Sequence, residues 1–122
     1  MNPRFFIACV FFLTIASGGC TKDIEFDGSF TGNETQFILD FEVLNVTKTH
    51  TLVLDSSDIV DVVIEKDKGT LDISVTDTEG HSIYTGDDAS SGQFALEITR
   101  SDSYEFKVTG TRAKGKVSFI VR

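Results

Sequence analysis

Apolar and polar residues alternate with a period of two through almost all of the chain after residue 24, and this pattern limits the fold more than any other feature. Leu71, Ile73 and Val75, for example, would lie on one side of a strand, with polar residues between them. Successive side chains of a β-strand point to opposite faces, so the pattern indicates strands with one buried face. Helical spacing of apolar residues is hard to find. The sequence therefore predicts an all-β body.

Turns rich in Gly, Asp and Ser separate these segments into eight or nine strands. Strands of this number and spacing predict a two-sheet antiparallel β-sandwich of jelly-roll-like type. Three details of the sandwich follow from the pattern. Phe37, Leu39, Phe41 and Val43 would share one buried face, Val53 would be buried between Leu52 and Leu54, and the run from Lys66 to Gly69 would end a strand in a turn.

The first twenty residues have the three parts of an export signal. Arg4 provides a basic start, an apolar run extends from Phe5 to Ala16, and small residues precede Cys20. The apolar run has 12 residues, fewer than the roughly 20 that a helix needs to cross a bilayer. Cleavage before Cys20 would leave this thiol without a second cysteine in the body.

The segment Ser17-Gly18-Gly19-Cys20 resembles the lipobox of bacterial lipoproteins, with Gly19 and Cys20 in the last two positions. The resemblance implies a signal peptide over residues 1–19, a fatty-acylated Cys20 with a short tether over 20–24, and a domain over 25–122. Lys22-Asp23 is similar to the signal of surface-exported lipoproteins of Bacteroidetes-type bacteria. We therefore expect a membrane anchor at the outer membrane or cell surface rather than at the inner membrane.

The chain is acidic, with a formal net charge of −8 at pH 7, and loss of Arg4 with the leader would make it −9. An acidic body repels phosphate backbones, so nucleic acid is not an expected partner. The C-terminal end differs, because its ionisable residues are all basic: Lys107, Arg112, Lys114, Lys116 and Arg122. Two interpretations stay open, a solvated face that balances acidic neighbours or a contact with anionic lipid or wall polymer.

The strand motifs from Gly69 to Gly80, from Tyr104 to Gly110 and from Gly115 to Val121 resemble the bacterial pre-peptidase C-terminal type of jelly-roll module. That resemblance implies a non-catalytic module of the kind that accompanies secreted enzymes and surface proteins. Such modules are implicated in binding or secretion.

The body provides few groups for catalysis. His50 and His81 are its only histidines. Adjacent strand residues point to opposite faces, so His81 and Ser82 would not form a nucleophile–base pair. We therefore expect no catalytic residues and no enzyme activity. Two separated histidines also fall short of a structural zinc site.

Calcium is the one metal cofactor that the sequence suggests. Asp77 and Glu79 lie in one loop and Asp87 and Asp88 in the next, so carboxylate oxygens flank a short strand that a hairpin could fold together. The competing interpretation is that these acids form turns and keep the surface soluble.

Two function hypotheses follow. The first is a small lipid-anchored envelope protein whose non-catalytic β-sandwich presents a surface that binds an envelope protein or a glycan. The alternative is a structural or assembly component of an envelope or surface complex, stabilised by calcium.

Overall fold

The computed structural model describes residues 24–122, which form strands and turns. This part of the chain has seven strands: β1 (Phe26–Gly32), β2 (Gln36–Leu44), β3 (Thr47–Leu54), β4 (Ile59–Thr76), β5 (Ser82–Gly86), β6 (Gly92–Glu97) and β7 (Asp102–Val121). Every pairing between them is antiparallel, which confirms the predicted all-β class. No helix within residues 24–122 is long and apolar enough to cross a membrane.

Two strands are long and bent, so each belongs to both layers of the sandwich. β4 has 18 residues and β7 has 20, and they pair along nearly their whole length. The first half of β4 and the second half of β7 lie in a five-stranded layer with the order β1–β2–β7–β4–β6. The remaining halves lie in a four-stranded layer with the order β3–β7–β4–β5.

This bend explains the difference between the eight or nine predicted strands and the seven observed. The run from Lys66 to Gly69 is not a terminating turn, because pairing with β7 continues through it. The register shifts twice, between Lys66 and Lys68 and between Lys68 and Thr70, and Gly69 has a left-handed φ of 72°. Such bulges bend a strand without ending it. Polar residues at a bend therefore look in the sequence like residues of a turn.

The alternating apolar residues of both layers meet in one core. Phe106 and Phe119 touch across the layers with ring centroids 4.9 Å apart, and Phe37 stacks on Phe119 at 5.7 Å. The largest fully buried side chains are Phe37, Phe41, Phe106, Phe119, Leu39, Leu44, Leu52, Leu54, Leu71, Ile73, Ile98 and Val60. Each contributes about 2 kcal/mol by leaving water. Residues 24–122 therefore enclose a complete core of their own.

Two predicted core positions are wrong. Val53 is 75% exposed, because it lies on the outer face of β3, an edge strand. Leu44 rather than Val43 continues the buried face of β2, because the register with β7 shifts between Phe41 and Leu44. A bulge moves the residues that follow it to the opposite face.

The two ends of the sandwich differ. The bends of β4 and β7 lie at one end, which we call the corner end, together with Ile24 and the connections 45–46 and 87–91. The opposite end, which we call the loop end, carries the connections 33–35, 55–58, 77–81 and 98–101. The eight residues of β3 run between the two ends, a distance of about 26 Å.

Candidate functional site

Hydrogen bonds join three connections of the loop end to one another. The Arg100 guanidinium donates to Asp77 at 2.9 Å, which ties the connection 98–101 to the connection 77–81. The Thr78 hydroxyl donates to Asp102 Oδ2 at 2.9 Å, at the start of β7. We call the residues that make these bonds, Asp77, Thr78, Arg100 and Asp102, the loop network. It ties the connection 77–81 to the connection 98–101 and to the start of β7.

Asp77 is the centre of the loop network, and its side chain is only 6% exposed. Its Oδ1 accepts backbone N–H bonds from Glu79 and His81, both at 2.9 Å, and His81 Nδ1 lies 3.3 Å from its Oδ2. Burial raises the pKa of Asp77, but these backbone bonds and the charges of His81 and Arg100 more than offset it. The pKa of Asp77 therefore lies below its usual value, and the carboxylate stays ionised at neutral pH.

Asp102 and Tyr104 hold the other side of the network. Hydrogen bonds from the Ser103 backbone and the Thr78 side chain lower the pKa of Asp102. The Tyr104 hydroxyl donates to the backbone carbonyl of Arg100, and burial raises the pKa of Tyr104. Tyr104 therefore connects Arg100 to the core.

The connection 55–58 is held to the connection 98–101 mainly by its backbone. Ser57 N donates to the Ile98 carbonyl at 2.6 Å, and Ile98 N donates to the Asp58 carbonyl at 2.9 Å. Ser56 N also donates to Ser101 Oγ at 2.9 Å. The two connections that cross between the layers at the loop end are thus joined side by side.

The charges that the loop end exposes are mainly acidic. Its connections carry the carboxylates of Glu34, Asp55, Asp58, Asp77 and Glu79, and Asp102 begins β7 there. Against them stand the guanidinium groups of Arg100 and of Arg122, and Arg122 bonds Asp61. Glu79 and His81 are well exposed there, with side chains 61% and 70% exposed. A fixed acidic surface of this kind favours a partner with a basic surface.

Neither histidine is placed to activate a nucleophile. His81 lies beside Asp77 and Glu79, whereas the Ser82 hydroxyl bonds Thr85 Oγ1 at 2.7 Å. His50 Nε2 is 2.8 Å from the carbonyl oxygen of Asn33. Within residues 24–122, neither imidazole is hydrogen-bonded to a serine or threonine hydroxyl in a manner that would form a dyad.

The four predicted calcium ligands do not come together. Asp77 and Glu79 lie in the turn before β5, whereas Asp87 and Asp88 follow β5 at the corner end. Asp88 accepts a bond from Lys66 Nζ at 2.9 Å. No group of three or more His, Cys, Asp or Glu side chains among residues 24–122 is arranged to hold a metal ion. Calcium binding stays a prediction, tested by melting the domain with and without millimolar calcium.

The five basic residues of the C-terminal end do not share one face. Lys107 lies in the four-stranded layer, Arg112 at the bend, and Lys114 and Lys116 in the five-stranded layer. Arg122 follows β7, and its backbone N–H donates to the Ile59 carbonyl. Lys114 is 3.3 Å from Glu42, and Arg122 donates to Asp61 at 3.0 Å. This arrangement favours the interpretation of a face that balances acidic neighbours. Contact with an anionic surface stays a prediction.

Cys20, the predicted lipidation site, lies outside the described residues. Among the described residues, the sequence alone did not predict most of the loop network. Asp77 and Glu79 were predicted as calcium ligands, not as partners of Arg100. A signal for the pairing is present, because Arg100 is the only Lys or Arg between Lys68 and Lys107. A lone cation among acids predicts an ion pair, although it does not say with which acid.

No protein-family model matches the sequence, and no curated protein matches it. The fold is similar to the crystal structure of PliG from Aeromonas hydrophila, a periplasmic lysozyme inhibitor of g-type lysozyme, with a TM-score of 0.53. The two chains are 16% identical, and the match covers 77% of this chain and 92% of PliG. At this identity the similarity shows the fold alone.

Proposed function

We propose that this protein is a non-catalytic envelope module, anchored by a lipid on Cys20, that binds a protein partner through its loop end. The observation that carries the proposal is the order of the loop end: the loop network holds the connections 77–81 and 98–101 together, further hydrogen bonds hold the connection 55–58 to 98–101, and Glu79 and His81 stay exposed. Loops that are ordered before binding lose less conformational entropy when a partner binds.

The position of Ile24, the first residue that the structure describes, supports the same orientation. Ile24 lies at the corner end, where it lines a groove with Lys68 and Arg112, and only three residues separate it from Cys20. A lipid on Cys20 would therefore hold the corner end close to the membrane. The loop end would then face away from the membrane, about 26 Å further out.

We further propose that the partner is a wall-degrading enzyme of the lysozyme class. The fold of PliG, which is a lysozyme inhibitor by name, supports this choice. The acidic loop end also calls for a partner with a basic surface, because such a surface would complement the carboxylates of Asp55, Asp58 and Glu79.

The test measures the activity of purified g-type lysozyme on cell walls in the presence of a chain that spans Thr21 to Arg122. We expect inhibition by the parent chain and at least a tenfold weaker inhibition by Glu79→Lys, since charge reversal at an interface opposes association. Glu42→Lys is the matched control, because Glu42 is 70% exposed but lies at the corner end. Absence of inhibition would rule out this target, and equal weakening by both variants would rule out the loop end as the surface.

The lipid anchor has a separate test. Cells that express the full chain are labelled with a fatty acid, alongside cells that express Cys20→Ala. We expect label on the parent chain and none on the variant. Equal labelling of the two chains would contradict the anchor without affecting the proposal for the loop end.

A structural or assembly role is the second candidate. The observation that favours it is that strands such as β6 end their layer with a free side within residues 24–122. Pull-down from crosslinked cells distinguishes the candidates. A stoichiometric envelope complex supports assembly, and recovery of a wall enzyme supports the first proposal.

A further inference from the structure

A groove at the corner end, on the side of the molecule opposite the loop network, is lined by three basic side chains: Lys68, Arg112 and Lys114. Ile24 and Val43 provide apolar parts of its wall. The volume of the groove is about 630 Å³, within the range of roughly 300 to 1,000 Å³ that small-molecule sites have. The groove therefore has the size and the mixed lining of a site for a small ligand with a negative group.

The bulges of β4 and β7 bring the basic residues to this groove. Lys68 lies between the two register shifts of β4, and Arg112 lies in the part of β7 that the pairing skips, between Thr111 and Lys114. Arg112 has a left-handed φ of 49°, and its backbone N–H donates to Asn45 Oδ1 at 3.0 Å. Non-glycine residues are uncommon in this conformation. The sheet and Asn45 thus fix the backbone that carries the two outermost cations.

The cross-strand pairing places two like charges opposite each other at the groove. Lys68 pairs with Lys114, whereas the other β4–β7 pair with two charged residues joins Glu65 and Lys116, which have opposite charges. Like charges directly opposite destabilise an antiparallel pair. Glu42 lies 3.3 Å from Lys114 and offsets one of the two charges. The remaining repulsion is a cost to the fold that an anion in the groove would remove.

Lys68 and Arg112 keep their charges available for such an anion. Among residues 24–122, no carboxylate oxygen lies within 4.0 Å of either charged group, whereas Lys66, Lys114 and Arg122 each have such a partner. Both residues are exposed. A guanidinium binds phosphate through two parallel N–H···O bonds, and a lysine ammonium adds a point charge beside it. The pair is therefore suited to a phosphate group.

The position of the groove indicates that this phosphate belongs to a membrane lipid. Ile24 lines the groove with a side chain that is 59% exposed, and three residues separate it from Cys20. Four residue spacings extend over at most about 14 Å. A lipid on Cys20 would thus hold the groove at the level of the phospholipid headgroups. This step rests on the lipid anchor of the proposed function.

We propose that the groove binds the phosphate of a zwitterionic phospholipid in the membrane that holds the anchor. Arg112 and Lys68 bind the phosphate oxygens, and Ile24 and Val43 contact the glycerol esters and the first methylenes of the acyl chains. A zwitterionic headgroup has a phosphate but no net charge, so the acidic body is not repelled from the membrane surface. This second contact beside the anchor keeps the loop end pointing away from the membrane.

The first test is an NMR titration of the Thr21–Arg122 chain with monomeric dihexanoylphosphatidylcholine. We expect saturable shifts of the backbone amide signals of Lys68, Arg112 and Ala113, and none at Glu79. The absence of saturable shifts at the groove would overturn the proposal. This chain lacks Cys20, so the titration does not depend on the anchor. Equal fatty-acid labelling of the parent and Cys20→Ala would contradict the anchor alone.

Two double variants with the same loss of charge test the site. Lys68→Gln/Arg112→Gln removes both cations from the groove and should weaken lipid binding at least tenfold. Lys107→Gln/Arg122→Gln is the matched control, because it also removes one lysine and one arginine, neither of which lines the groove. The control should bind like the parent. Equal weakening by the two variants would rule out the groove as the site.

A melting experiment separates lipid binding from folding. Lys68→Gln removes the like charge opposite Lys114, so without lipid its melting temperature should equal or exceed that of the parent. Dihexanoylphosphatidylcholine should raise the melting temperature of the parent more than that of this variant. Equal increases in the two chains would contradict the role of Lys68 in binding.

Inorganic phosphate distinguishes a lipid from a free anion. It offers the same oxygens to Lys68 and Arg112 but has no group that contacts Ile24 or Val43. We expect its dissociation constant to be at least tenfold higher than that of dihexanoylphosphatidylcholine, measured by the same amide shifts. Inorganic phosphate that binds as tightly as the lipid would overturn the assignment of a phospholipid as the ligand.

Discussion

The two ends of the sandwich are held by different kinds of interaction. At the loop end, side chains tie the connection 77–81 to the connection 98–101, as between Arg100 and Asp77. At the corner end, backbone approaches backbone, and a Cβ on Gly69 would overlap the carbonyl oxygens of Arg112 and Thr111. A hydrogen bond between side chains can be removed by one substitution, and its strength depends on the charges of the two groups. A close approach of two backbone segments leaves no room for an added side-chain atom. We therefore expect the corner end to govern stability and the loop end to govern the response to pH.

The largest difference should appear between two glycines with similar φ angles. Gly69 has a φ of 72° and Gly80 a φ of 85°, but a Cβ on Gly80 would meet nothing within 4 Å. Gly80→Ala should lower the free energy of unfolding by about 1 kcal/mol, the cost of a left-handed residue. Gly69→Ala should lower it by roughly 3 kcal/mol or more, because steric overlap adds to that cost. Urea denaturation measures both, and equal losses would contradict the comparison.

A smaller effect is expected at the centre of the loop network. Asp77→Asn removes the charge that Arg100 faces, and it weakens the acceptor for two backbone N–H groups. The melting temperature should fall by several degrees, since hydrogen bonds to charged groups are stronger than neutral ones. Glu79→Gln, at a side chain that is 61% exposed, should melt like the parent. A thermal scan in which the two variants behave alike would rule out Asp77 as the centre.

The pH dependence should come from the same network. The folded-state pKa values of Asp77 and Asp102 lie below the usual value of 3.8. A lowered carboxyl pKa stabilises the folded state above the unfolded pKa, and this contribution is lost as pH falls through the folded pKa. The contribution of these two groups to stability should therefore be constant from pH 7 to about 4, and it should fall at lower pH. Thermal scans from pH 7 to about 2 should show a shallower fall in Asp77→Asn, and parallel curves would contradict the assignment.

The smallest effect is expected for a surface ion pair at the corner end. Lys114 is 3.3 Å from Glu42, whose side chain is 70% exposed. Exposed pairs of this kind contribute little, so Lys114→Gln should change the free energy of unfolding by about 0.5 kcal/mol or less. Lys107→Gln is the control. A loss above about 1 kcal/mol for Lys114→Gln alone would show that the corner end also depends on side-chain charge.

Much of the fold could be predicted from periodicity, and little of the site could. Leu71, Ile73 and Val75 are buried as predicted, because alternation records which face of a strand leaves water. The errors at Val43 and at Lys66 to Gly69 lie where bulges interrupt that alternation. The loop network escaped prediction because Asp77 and Arg100 are 23 residues apart. Their contact depends on how the connections are placed in space.

The sequence by itself determined the class of the fold, since the burial of alternating apolar side chains needs strands and two layers. It also determined the acidic character of the body, which is a property of composition. Only the tertiary structure decided that β4 and β7 bend through both layers, because a bend and a turn have the same polar composition. The tertiary structure also brought Asp77, Thr78, Arg100 and Asp102 together into one network. These features are relations between distant segments, and local periodicity carries no record of them.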